Sequence, residues 1–298
     1  MKVVIGGANG LIGSELARTL RARGEEVVAL VRKPRDPGDV KWDGRSLPPG
    51  TLERADAAVN LSGANIGARR WSEAYKKEIV DSRVESTRAF VDAMRAGRVK
   101  PRVFVNASAV GAYGGRGDEE LTEESTRGGD FLAGVCKESE TEAHRADELG
   151  VRTVLLRTGV VLARQGGALK QMLPPFKAFV GGPIGNGKQW FPWIHLADEV
   201  GLIVWALDGT VRGALNAVAP NPVRMKDFAH ALGGALHRPA LLSVPALVLR
   251  LGLGEMAEVL LEGQRALPRK AVDGGYRFRF PELKGALADL IGRPVRTA

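Results

Sequence analysis

The first thirteen residues constrain this chain more than any other stretch. Val3-Val4-Ile5 is a short β-branched run, Gly6-Gly7-Ala8-Asn9-Gly10-Leu11-Ile12-Gly13 follows at once, and Leu16, Ala17 and Leu20 then share one face of a helical pattern. A buried strand, a glycine turn and a helix start in that order open a dinucleotide-binding βαβ unit. Gly7, Gly10 and Gly13 give a G-x-x-G-x-x-G spacing. One glycine allows the tight turn, one lets backbone amides approach a pyrophosphate, and one lets the helix pack closely on the strand. The helix start adds free N–H groups and partial positive charge for the phosphates, which makes Gly7, Gly10, Leu11, Ile12 and Gly13 cofactor candidates. The same glycines would suit a plain turn; their place between strand and helix favours the cofactor.

Residues 26–31 read as the second strand, and it ends on Arg32-Lys33 rather than on the carboxylate that binds the ribose hydroxyls of NAD. A cation at this position suits the 2′-phosphate of NADP, so NADP(H) is the expected cofactor. Residues 34–50 are rich in Pro, Gly and Asp and read as loop. Residues 56–61 form a third strand ending at Ser62-Gly63, small residues at the end where ligands bind open α/β sheets. A helix over about 72–94 places Trp71, Tyr75 and Ile79 on a core-facing stripe, with Glu78 and Arg83 as polar residues free to face the cofactor. A fourth strand over 103–108, a glycine-rich acidic loop to 130, a helix over 131–149 capped by Gly150, and a fifth strand over 151–156 follow. Alternating strands and helices to about residue 160 predict an α/β fold, a Rossmann-type doubly wound parallel sheet. Beyond it, glycine and proline pairs between 166 and 187 read as long loops, 190–195 as a strand and 198–206 as a helix. Helices over 226–236, 245–251, 255–263 and 282–291 then form a small, mainly helical C-terminal lobe. The expected division is 1–160 plus about 188–218 for the NADP(H)-binding half, and about 161–187 plus 219–298 for the substrate lobe.

Bulk properties narrow the function classes. With 298 residues the chain can bury a full core, and its single cysteine excludes an internal disulfide and a cysteine-built zinc site. The four histidines are scattered, so no metal site is expected. A reducing compartment and a first strand that leaves no room for a leader predict a cytoplasmic protein. The apolar stretch 241–253 is interrupted by Pro245 and Arg250 and is too short to span a bilayer. The net charge of +9 raises nucleic acid as a partner, but the cations come in small dispersed clusters with few aromatics, so no nucleic-acid binding is expected. Cys136 and the stripe Met225, Phe228, Leu232 and Leu236 read as packing residues, His144 as surface, and Trp190 and Trp193 as the lobe junction. His195 reads as satisfying a local hydrogen bond, with general base as the alternative.

The chain resembles an atypical extended short-chain dehydrogenase/reductase of the NAD(P)-dependent epimerase/dehydratase-like group. The resemblance runs nearly end to end, through residues 7–13, Val59-Asn60-Leu61-Ser62-Gly63, Arg70-Trp71, Ser82-Arg83, residues 108–114, Arg157-Thr158-Gly159-Val160-Val161-Leu162, residues 193–198, residues 260–264 and Pro268. It implies that Arg32, Leu61, Ser62, Glu78, Arg83 and Val161 join the glycine loop at NADP(H), beside the further candidates Lys33 and Gly63. It also implies hydride transfer on a small hydroxyl or carbonyl compound, nucleotide sugars included, and a monomer or a homodimer paired through the helices near 72–96 and 131–149. The superfamily's Tyr-x-x-x-Lys pair is missing: Leu132 and Cys136 occupy its positions, and Lys137 lies one residue away, about 100° round the helix. The usual strand-end hydroxyl is replaced by Ala109, leaving Ser108 and Tyr113 as catalytic candidates. Three readings follow: an oxidoreductase or epimerase with relocated acid–base groups, an inactive NADP(H)-binding sensor or scaffold, or an enzyme whose substrate supplies its own proton transfer.

Overall fold

The computed structural model describes residues 1–292. In chain order the elements are β1 (Lys2–Gly6), α1 (Leu11–Ala22), β2 (Glu26–Val31), β3 (Val40–Lys41), β4 (Ala57–Asn60), α2 (Glu73–Ala96), β5 (Val103–Ala109) and β6 (Glu120–Leu121). There follow α3 (Phe131–His144), β7 (Arg152–Thr158), β8 (Val160–Leu162), α4 (Gly167–Lys177), β9 (Trp190–Phe191), β10 (Trp193–His195), α5 (Leu196–Asp208) and β11 (Gly213–Ala217). The last part holds β12 (Val223–Arg224), α6 (Met225–Leu236), α7 (Ala246–Leu253), α8 (Met256–Leu261), β13 (Arg265–Ala266), α9 (Arg269–Asp273) and α10 (Leu283–Ile291).

Seven strands pair in parallel in the order β11-β7-β5-β4-β1-β2-β3. The expected doubly wound sheet is present. Its strands are apolar on successive residues because both faces are covered. Val3, Ile5, Val59, Val105, Val154 and Leu156 pack under α1 and α5, through Leu16, Leu20, Val200 and Ile203. Their neighbours Val4, Ala58, Phe104 and Leu155 pack on the other face, against Phe90, Met94 and Ala143 of α2 and α3. A separate core lies in the C-terminal lobe, where Phe176, Trp193, Phe228, Leu232, Ala286 and Leu287 meet. Met225, Phe228 and Leu232 are buried there and Leu236 packs at the margin, as the stripe predicts.

Several boundaries differ from the sequence reading, each for a local reason. The loop over 34–50 contains β3, which joins the sheet edge beside β2. The helix expected to run to 149 ends at His144, and a short 3-10 turn, Asp147–Leu149, carries the chain to Gly150 at φ 78°. The strand over 190–195 is split at Pro192, which has no N–H for a ladder. The fifth strand reaches Thr158, so the break falls on Gly159, where a Cβ would lie 2.1 Å from Pro192 O. Gly167–Lys177, read as loop, is helical despite Pro174 and Pro175 because Leu169 and Phe176 are buried in the lobe core. β11 carries no strand signal in the sequence because its only large apolar residue is Leu215. The lobe is tied back to α5 by Asp198, whose carboxylate accepts from Arg279 N at 2.7 Å and Phe280 N at 2.9 Å and from the Tyr276 hydroxyl at 3.3 Å.

Candidate functional site

Strand order reverses between β1 and β4, and the glycine loop lies at the C-terminal edge of β1, in the crevice where open α/β sheets bind ligands. The turn needs its glycines. Gly7 has φ 75°, and a Cβ there would meet Leu61 O at 2.8 Å; a Cβ on Gly13 would lie 2.3 Å from Gly7 O. Gly10 caps α1 with no side chain over it, so the first-turn amides of Leu11, Ile12 and Gly13 keep no capping partner. Leu61 and Ser62 abut Gly7, and the buried Ser62 Oγ has no hydrogen-bond partner among the described residues. Arg83 packs against Gly63, donating to Ile79 O at 3.0 Å and Ala64 O at 3.1 Å. Burial with no carboxylate partner pulls its pKa down, the situation of a cation prepared for an anion. Arg32 and Lys33 are exposed just past β2 with no ion pair among the described residues. Val161 lies on β8, half-buried, and Leu11 packs under Gly166 and Gly167 at the start of α4. A cradle that only glycine fits, an orphaned serine hydroxyl and an uncompensated guanidinium fit a dinucleotide. Glu78, expected to face the cofactor, instead pairs with Arg69 at 2.6 Å on the surface.

The chemical end of the crevice is a cavity of about 480 Å³ between the sheet and the helical lobe. Ala109, Val110 and Gly111 from the end of β5, Thr158 and Gly159 from β7, and Phe131 and Leu132 from α3 form its floor, with Trp190, Phe191, Met225 and α8 opposite. Asp130, Glu255, Glu258 and Glu262 also line it, and among the described lining residues there is no lysine, arginine or histidine. Lys76 pairs with Glu255 at 3.0 Å, and Arg250 with Glu258 at 2.7 Å.

The two catalytic candidates face elsewhere. Tyr113 is a core residue: its hydroxyl donates to Asn216 Oδ1 at 2.7 Å and accepts from Arg157 Nη1 at 3.0 Å, and burial raises its pKa. It has no open path to a substrate, which corrects the expectation. Ser108 Oγ donates to Glu140 Oε1 at 2.6 Å, and the same buried carboxylate accepts from Arg157 Nε and Nη2 at 2.9 Å and from Arg127. Burial would raise the Glu140 pKa, but these donors outweigh it and hold the group as an anion below its ordinary range. Ser108 is therefore a strut for Glu140 and lies outside the cavity lining. Cys136 is buried against Ala109 O, and burial pushes its thiol pKa up, so it is no nucleophile. His195 caps α5, its Nδ1 accepting from Ala197 N at 3.0 Å, with Nε2 3.2 Å from Asp289; burial lowers its pKa. His144 is a surface residue paired with Asp147.

One buried pair at the cavity wall belongs to no sequence motif. Thr158 Oγ1 donates to Glu199 Oε1 at 2.7 Å, and Glu199 is 0 % exposed with Oε2 unpartnered. Burial, opposed only by the Thr158 hydrogen bond, pushes its pKa up to about 8. Periodicity carried the signal: Glu199 falls on the α5 stripe that buries Ile203 and Ala206.

Comparison with known proteins agrees with this architecture. Residues 3–217 match the model of the NAD dependent epimerase/dehydratase family. The chain belongs to that family. Residues 244–290 match a domain of unknown function, DUF1731. Epimerase family protein SDR39U1 of mouse is 40% identical over 296 residues, covering 98% of this chain and 100% of its own. YfhF of Bacillus subtilis is 37% identical over 299 residues, covering 98% of each. The crystal structure of human SDR39U1 (isoform 2) with NADPH superposes with a TM-score of 0.91 at 39% identity, covering 98% of this chain and 99% of that one. A nucleoside-diphosphate sugar epimerase from Corynebacterium glutamicum gives 0.81 at 34% identity, covering 98% of this family member and 58% of that chain. Among the described residues no helix is long and apolar enough to cross a membrane, and no cluster of His, Cys, Asp or Glu is placed to hold a metal.

Proposed function

We propose that this epimerase-family protein is an NADP(H)-dependent oxidoreductase acting on a small, uncharged, largely apolar carbonyl or hydroxyl compound. The observation that carries the cofactor half is the glycine cradle flanked by Arg32 and Lys33, cations without an ion pair among the described residues. Arg32 and Lys33 would hold the 2′-phosphate, the α1 amides the pyrophosphate, and Ser62, Gly63 and Arg83 the neighbouring polar groups. NADP(H) bound there supplies or accepts a hydride. The NADPH in the crystal structure of human SDR39U1 supports the same cofactor. Residues 1–160 with about 188–218 carry this half, and about 161–187 with 219–298 carry the substrate half.

The cavity lining supports the substrate class. A diphosphate needs cations or clustered amides, and this cavity offers apolar surface and four carboxylates. That chemistry argues against a nucleotide sugar, which stands as the less favoured substrate. Leu132 and Cys136 at the positions of the tyrosine and lysine favour a second reading, an NADP(H)-binding sensor or scaffold without turnover. Titration of the purified protein with NADPH and NADH, followed by cofactor fluorescence, tests the first half. NADPH is expected to bind far more tightly than NADH. Arg32→Ala is expected to weaken NADPH by about 1.5–3 kcal/mol and leave NADH unchanged. Equal losses for both would remove Arg32 as the phosphate reader, and no binding of either at millimolar concentration would remove the oxidoreductase reading. Oxidation of NADPH across a panel of neutral ketones separates enzyme from sensor.

A further inference from the structure

Ala109 stands where relatives of this kind would present the strand-end hydroxyl, and in the parallel ladder Ala109 pairs directly with Thr158 of β7. The nearest hydroxyl on the cavity wall has therefore moved one strand sideways. Behind it lies Glu199, whose only side-chain hydrogen bond among the described residues is the 2.7 Å contact to Thr158 and whose second oxygen is buried without a partner among them. We propose that Thr158 is the hydroxyl that touches the oxygen of a bound uncharged carbonyl compound, and that Glu199 behind it is the positioning residue that stores its proton.

This inference rests on the proposed function. Glu199 is fully buried on α5, whose Val200 and Ile203 belong to the apolar core that also holds Leu156 and Leu215 of the sheet. No cation contacts it among the described residues. On its own helix the adjacent Asp198 is held by the Arg279 and Phe280 amides. From the C-terminal segment Tyr276 donates to Asp198, and burial first, then the proximity of Asp198 and Glu199, raises its pKa. On β7, Arg157 points to Glu140. Among the described residues only the Thr158 hydroxyl favours the anion, and burial outweighs it, so the carboxyl is held protonated at neutral pH, in line with a pKa pushed up to about 8. A protonated carboxyl reverses the contact: its O–H donates to Thr158 Oγ1 and frees the threonine O–H for the cavity.

The transfer balances. The ligand oxygen is one on which reduction of its carbon by a dihydronicotinamide leaves negative charge. The Thr158 O–H bond breaks as the ligand O–H bond forms, and the Glu199 O–H bond breaks as a new Thr158 O–H bond forms. Each electron pair stays on the oxygen that loses the proton. Glu199 ends as a carboxylate and the ligand as an alcohol; oxidation runs the same path backwards.

Two measurements test this on the full chain. The first is infrared spectroscopy of the protein alone. A protonated carboxyl band is expected at pH 6, shifted in Thr158→Val, missing in Glu199→Gln, and lost as pH rises through about 8. Absence of that band at pH 6 overturns the store. The second uses 9,10-phenanthrenequinone, an uncharged apolar dicarbonyl, with NADP⁺ present. Its affinity is read from quenching of Trp71 and Trp190, which line the cavity. Above the titration the threonine O–H is committed to the carboxylate, so affinity is expected to fall about tenfold from pH 6 to pH 9.5, the loss of one hydrogen bond. Glu199→Gln should flatten this dependence and Thr158→Val should weaken binding at both pH values. A pH dependence retained in Glu199→Gln, or no binding at either pH, overturns the proposal. With NADPH in place of NADP⁺, kcat for the quinone should fall over the same pH range in the parent and lose that profile in Glu199→Gln. NADPH binding without turnover overturns proton delivery. Failure to bind NADPH overturns the proposed function instead, and the infrared band then decides the store independently.

Discussion

Consecutive residues of one strand hold two buried carboxyls on opposite faces of the sheet. Arg157 of β7 reaches Glu140 on the α3 face, and Thr158 reaches Glu199 on the α5 face. Both acids are 0 % exposed. Glu140 receives two arginines and a serine and is held as an anion; Glu199 meets one hydroxyl and no cation among the described residues and is held neutral. Burial is the same on the two sides, so the partners decide the charge. The paired side is structure: it locks β5, α3 and Tyr113 around a fixed charge. The unpaired side borders the cavity and keeps a proton that can move.

The sharpest way to break this contrast is Glu140→Ala. It strands Arg157 in the core, and a loss of about 3–5 kcal/mol in denaturant unfolding is expected. Replacing both partners, Glu140→Leu with Arg157→Met, should recover most of that loss. Glu199→Gln should act in the opposite sense. Its folded pKa lies above the unfolded value, so the folded state holds the extra proton, and its contribution is intact below about pH 4.5 and lost as pH rises towards 8. The variant should match the parent near pH 4.5 and exceed it by roughly 3 kcal/mol at pH 7. Glu140 has a lowered pKa, so its contribution is present above the ordinary carboxylate range and lost as pH falls through its depressed value. The smallest effect is expected for Tyr113→Phe, which orphans Asn216 Oδ1 at a cost of about 1–2 kcal/mol while leaving NADPH affinity unchanged. A changed affinity would return Tyr113 to the site.

What was legible in the sequence follows the same division. The glycine loop and the parallel strands announce themselves because their demands are local: a positive φ at Gly7, a close approach at Gly13, apolar runs covered on both faces. The chemical wall was illegible for the opposite reason. Thr158 and Glu199 are 41 residues apart and meet only through the pairing of β7 with α5. Tyr113 reads as a catalytic residue until Asn216, 103 residues on, is seen to hold its hydroxyl. β11, written in small residues, became a strand because β7 offered it a ladder.

The clasp at Asp198 also fixes when the molecule can be finished. All seven strands of the sheet are available once residue 217 has been made, and Asp198 lies on the helix that covers one face of it. Its carboxylate is satisfied by Tyr276, Arg279 and Phe280. During synthesis the cofactor half emerges first and can collapse around the glycine loop. Its α5 side then carries the Asp198 carboxylate without its donors until Tyr276, Arg279 and Phe280 have been made.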